Sequence, residues 1–276
     1  IGRSALQNNS TGSSNTALGN DALLANTTSN NTAVGHNAAT ANTSGGNVVA
    51  VGYKALEAHT TANHVTAVGS EALKVNTTGA SNTAVGTAAL VANTTASQNT
   101  AVGAFALDAN TTGDNITAIG FDALGANTTA TNNTACGSKA GNQITTGSNN
   151  TAMGFDALTR CTTGVSNTCI GKEAGDNITT GGYNTCLGID SGTNITQGSA
   201  HVMVGDSTTA SAENSQNEIV IGVGIAGVGS NSFTFGKASN RVHNDFDTNA
   251  SWTRTSDLHK KTNIENTDLG LSFINE

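Results

Sequence analysis

The chain has 276 residues, enough for one or two ordinary domains, yet only 4% of them are aromatic, 11% are charged and none is proline. That composition argues against an ordinary globular core. A formal net charge of −8 leaves no basic stripe to displace counterions from phosphates, which speaks against nucleic-acid binding. No run of eighteen apolar residues is present to span a membrane as a helix.

Asn, Thr, Ala and Gly return at fixed places, as in a thin solenoid whose coils bury small groups against one another. The chain opens inside a repeat, at Ile1 and Gly2 and without an initiator Met, so it is expected to be a piece of a longer protein. Marker glycines run from Gly2 and Gly19 through Gly103 to Gly205 and Gly222, each seventeen residues after the last except for one step of sixteen between Gly19 and Gly35. The unit reads N-T-A-V-G-x-x-A-L-x-A-N-T-T-G-x-x. One such unit suits one coil of short strands and tight turns, neighbouring coils lying about 4.8 Å apart. Thr-Ala-Val-Gly is the first strand candidate, since β-branched and small residues alternate in it. Asn-Thr-Thr-Gly is expected to turn into a second short strand, with Gly supplying positive φ.

The two faces of the first strand differ. One holds a ladder of Leu18, Val34, Val51, Val68, Val85, Val102, Ile119, Cys136, Met153, Ile170 and Leu187. The other holds alanine without exception from Ala17 to Ala152, then Cys169, Cys186, Met203 and Val220. Unbroken alanine implies a surface packed too closely for a larger side chain. The expectation is therefore a strand buried on both faces, with the alanine side against other copies of the chain and the axis widening towards the C-terminus. A further column carries Asn26, Asn42, Asn76, Asn93, Asn110 and Asn127, expected to form an amide ladder, and then Ile144, Cys161, Ile178 and Ile195 in a drier lower shaft.

Candidate chemistry is sparse. The four cysteines sit where other units carry Ala, Val or Ile, and they read as small buried hydrophobes rather than zinc ligands or a disulfide pair. Asn-x-Thr sequons arise from the repeat itself and read as ladder and turn residues. Two places after the marker glycine stand Asp21, Glu71, Asp122, Asp156, Glu173 and Asp190, interleaved with Lys54 and Lys139. Asp156, Glu173 and Asp190 would stack at the ~5 Å carboxylate spacing of retaining glycosidases, but mixed charges in the column favour a solvated turn. A cation bridging them is the other use such a column could serve. Paired threonines such as Thr94 and Thr95 point to opposite faces, which argues against the flat Thr-x-Thr face of ice-binding solenoids.

After Gly222 the register breaks, and Phe233, Phe235, Phe246 and Trp252 bring aromatic bulk suited to a neck that locks the rod's end. A tract through Thr255, Ser256 and Asp257 leads to Lys260, Lys261, Thr262, Asn263 and Ile264 and then to L-G-L-S-F-I-N at residues 269–275. This tract resembles the opening of the endosialidase-type intramolecular chaperone at the C-termini of phage tail fibres and spikes, where S-D-x-R-x-K begins the domain. The resemblance implies a chaperone that drives trimerisation and then cuts itself off. Ser256 would be the nucleophile, Lys261 its partner, and Thr255–Ser256 the scissile bond. His259 stands where that family has Arg. The upstream units are similar to repeats of tail fibres, and more loosely to the heads of trimeric autotransporter adhesins.

Together these readings give an all-β, homotrimeric fibre, either a parallel β-solenoid or a strand-exchanging triple β-helix. Residues 1–222 form the shaft, 223–255 the neck, and 256–276 the start of the chaperone. The expected role is structural, in a virion tail fibre outside the cell, with no cofactor or metal and no enzymatic activity beyond a single self-cleavage. Expected partners are its own copies, other tail or fibre proteins, and a glycan or protein receptor on the host surface. The alternatives are a polysaccharide-degrading spike and a bacterial surface adhesin.

Overall fold

The computed structural model describes residues 1–248 and the strand Thr253–Thr255. Strands β1 (Thr16–Leu18) to β12 (Val202–Val204) are three residues long and come once per coil; they lead into β13 (Ile219–Val223). Each pairs in parallel with its neighbours, and from Thr66 to Thr117 Thr stays on Thr and Ala on Ala from coil to coil. The sixteen-residue step is absorbed between β1 and β2 (Thr32–Val34) without loss of register, Ala17 still facing Ala33. No helix occurs among the described residues. The fold is thus a parallel β-solenoid with seventeen-residue coils, each hydrogen-bonded to the coils before and after it in the same chain. At about 4.8 Å per coil the stack is roughly 60 Å long.

No second strand follows Asn-Thr-Thr-Gly among the described residues. Three left-handed residues per coil turn the chain instead, for example Phe105, Leu107 and Asn115 with φ of 58°, 56° and 60°. A left-handed leucine costs about 1–2 kcal/mol. Leu107 is wholly buried, and burying a leucine returns about 1.5–3 kcal/mol, so the strained turn holds. Even there the coils stay bonded, Leu90 N–H donating to Ala106 O and Thr94 N–H to Thr111 O. The invariant marker has a steric cause. Gly103 has φ of 138°, and a Cβ on it would lie 2.3 Å from the Gly120 carbonyl oxygen.

The interior corrects the reading of the alanine column. Ala101, Ala118 and Ala135 point into the coil of their own chain and pack with Ala106, Leu107 and their equivalents, all fully buried. A seventeen-residue coil is so narrow that its inward strand position holds little more than a methyl group. The alanines therefore mark a single-chain core, not a contact between copies. The amide ladder is present: Asn93, Asn110 and Asn127 each donate to the preceding Asn Oδ1, at 2.7, 3.1 and 3.0 Å. A second buried ladder runs beside it. Asn99 Nδ2 donates to Gly113 O at 2.8 Å, and its Oδ1 accepts the Ile116 N–H at 2.9 Å. These bonds satisfy the polar backbone that a narrow core cannot hide in longer strands.

Beyond β13 the pairing stays parallel into β14 (Ser232–Lys237), then reverses through an antiparallel hairpin to β15 (Asn240–Asp245) and on to β16 (Thr253–Thr255).

Candidate functional site

With alanine turned inward, the strand residues on either side of it face out. The outer face of the sheet therefore carries two columns, one of threonine and one of larger apolar residues. The apolar column is half-exposed along the rod: Leu18 is 47% exposed, Ile119 40% and Leu187 45%. Register carries it without a break from Leu187 through Val204, Ile221 and Phe235 to Val242. Over the same coils the threonine column becomes Val202, Ile219 and Phe233. Phe233 and Phe235 stack with ring centroids 5.5 Å apart. With Ile221 and Val242 they line an open, wholly apolar hollow of about 670 Å³. Phe246, assigned to the same neck, is 56% exposed, and Trp252 lies outside the described residues.

One residue past the marker glycine, at the corner of the coil, stand Tyr53, Phe121, Phe155 and Ile189, all about half-exposed. Each lies beside a member of the apolar column (Val51, Ile119, Met153 and Leu187), so these coils present a wide apolar edge. Ser70, Thr87, Ala104, Ser138 and Lys172 occupy the corner in the coils between. Sequence reasoning missed this pairing because the columns were read singly.

No protein-family model, curated protein or solved structure matches the chain. Its chemistry must be read from the geometry alone.

Asp156, Glu173 and Asp190 do share a column of left-handed turn residues. Lys172 lies among them and pairs with Glu173 at 2.8 Å, a contact that raises the lysine pKa. One carboxylate oxygen each of Asp156 and Asp190 is buried without a hydrogen-bond partner. Among the described residues no three His, Cys, Asp or Glu side chains are grouped to hold a metal ion.

The cysteines are free; Cys161, Cys169 and Cys186 are buried and Cys136 is half-buried. Burial pushes the Cys161 thiol up to about 11. A hydrogen bond with Cys186, and then burial, hold Cys169 well above the usual thiol range. Both stay protonated at neutral pH and are poor nucleophiles. The lower-shaft widening also has a local cause. Where Cys169 and Cys186 replace alanine, Gly175 and Gly192 replace leucine in the same coil, and Ile178 and Ile195 replace asparagine. The core is repartitioned rather than opened.

Sequon asparagines such as Asn93 and Asn110 are fully buried, so they cannot accept a glycan in the folded coil. Ser256 and Lys261, the residues assigned to self-cleavage, lie outside the described residues.

Proposed function

We propose that the chain is the shaft of a homotrimeric, phage-type tail fibre, a spacer that holds a host-contacting surface away from a virion. The observation that carries this reading is the outward apolar column. One chain alone leaves it in water along the whole rod, whereas parallel copies around one axis would cover it. Two further features support a mechanical role. Register is kept from β1 to β13, which suits a stiff rod, and buried amide ladders tie successive coils together over much of its length. The viral assignment rests on the resemblance of the Ser256 tract to a self-cleaving chaperone, which would assemble the trimer and then leave.

Light scattering on the purified protein tests the assembly. A particle of three chains is expected, and a single-chain mass overturns the trimer. Incubation with host capsule or lipopolysaccharide tests the role, because release of oligosaccharides would replace the structural reading with that of a degrading spike.

A further inference from the structure

We infer that the outer Thr-Ala-Val face is the surface through which copies of this chain meet, side by side, parallel and in register. The inference rests on the trimer reading for the number of chains and adds where and how they touch.

The first argument is periodic. A ladder repeating every coil fits only a surface with the same axial repeat of about 4.8 Å, and a second copy of this coil presents that repeat. The second concerns shape. A mineral or ice lattice would require one short side chain at every step, yet the column mixes Val, Ile, Leu, Met and Cys. Variation among side chains of that kind is what a packed protein interface tolerates. The third sets direction. The threonine column is polar through β11 (Thr185–Leu187) except at Val49, and apolar at Val202, Ile219 and Phe233. Parallel copies in register lay apolar end on apolar end, with the Ile221, Phe233, Phe235 and Val242 hollow filled by its mate. An antiparallel pair, or one shifted by three coils, would lay Phe233 on threonine hydroxyls.

Area is sufficient. A face roughly 60 Å long and about 10 Å wide gives about 600 Å² of footprint per chain, near the ~800 Å² that each partner gives to a standard interface. The aromatic end adds to that.

The chain carries its own probe. Cys136 occupies the apolar column and is the one cysteine that is not fully buried. In register, the Cys136 residues of neighbouring copies meet at one height. Mild oxidation, which removes two electrons and two protons per pair of thiols, or a short bis-maleimide should therefore link two chains of each particle through Cys136. Cys136→Ser should abolish the link. Thr112→Cys in that background, on an exposed turn away from the face, should not restore it, whereas Val102→Cys should. Particles can also be mixed from wild-type chains and chains carrying both Val102→Cys and Cys136→Ser. These should give only like-to-like links.

A three-chain particle linked through Thr112→Cys but not through Cys136 overturns the face and leaves the trimer standing. A three-chain particle linked at neither position overturns the face as well. A single-chain mass removes the trimer itself. Thermal hysteresis in such a single-chain sample would assign the face to ice instead.

Discussion

Cys169 and Gly175 share one volume of the core: a Cβ on residue 175 would lie 2.6 Å from the Cys169 sulfur and 3.0 Å from Ile178 Cδ1. Gly192 stands in the same relation to Cys186 and Ile195, at 2.5 and 3.2 Å. Upper coils fill this space with a left-handed leucine above alanine and asparagine. Lower coils fill it with sulfur and isoleucine around a glycine.

Gly175→Ala should therefore destabilise the lower shaft by about 2–3 kcal/mol, from overpacking together with a methyl group at φ of 60°. Combining it with Cys169→Ala should cost less than the sum of the single changes, because the second removes the sulfur that the first strikes. Denaturant midpoints of the four proteins measure this coupling. Strict additivity would show that the two residues do not share space.

Gly103→Ala meets backbone rather than a side chain, the Gly120 carbonyl oxygen at 2.3 Å, and no neighbouring substitution can relieve it. A loss of roughly 3 kcal/mol is expected. Ala104→Gly, one residue further on, should cost under about 1 kcal/mol. Thermal unfolding of the two variants separates a position fixed by contact from an ordinary turn.

Two buried histidines make stability depend on pH. His59 stands in the asparagine column, Nε2 donating to Ala62 O at 2.9 Å and Nδ1 accepting from Asn76 at 3.2 Å. His201 is held likewise by Ser215 O and the Glu218 N–H. Burial lowers both pKa values, though Glu218 partly opposes the shift at His201. A depressed histidine leaves stability intact above the unfolded pKa near 6.5 and erodes it as pH falls towards the folded value, by at most about 1.4 kcal/mol per pH unit for each. His59→Asn restores the column residue and should flatten the acid limb below pH 6.5 while leaving stability at pH 8 nearly unchanged. An acid limb of unchanged slope would place the titration elsewhere.

For the self-cleavage implied by the Ser256 tract, the full-length gene product should separate between Thr255 and Ser256, and Ser256→Ala should leave it whole. Intact-mass measurement decides this. Equal masses for the two proteins contradict the assignment.

Much of the fold was legible because a strict period exposes register directly. The marker glycines placed every coil, and the asparagine column announced its amide ladder. Which face points inward was not legible. Alanine in an unbroken column is equally consistent with a tight contact between chains and with the inside of a very narrow coil. Only the left-handed turns at residues such as Phe105 and Leu107 decide between them, by drawing Leu107 in behind the alanines. Non-glycine residues seldom adopt that conformation, so propensity gave no sign of it. The interaction face was hidden for the same reason. Val102 and Ile119 read as core until Ala101 and Ala118 were seen to be the core.

Copies meeting across that outer face are the central claim, and a charge placed there tests it directly. Val102→Glu with Ile119→Glu leaves every inward residue of the coil in place and brings like charges together where neighbouring chains would touch. Sedimentation velocity should show the wild type as three chains and the double variant as single chains, with the same β-type circular dichroism. A double variant that still sediments as three chains would contradict the claim.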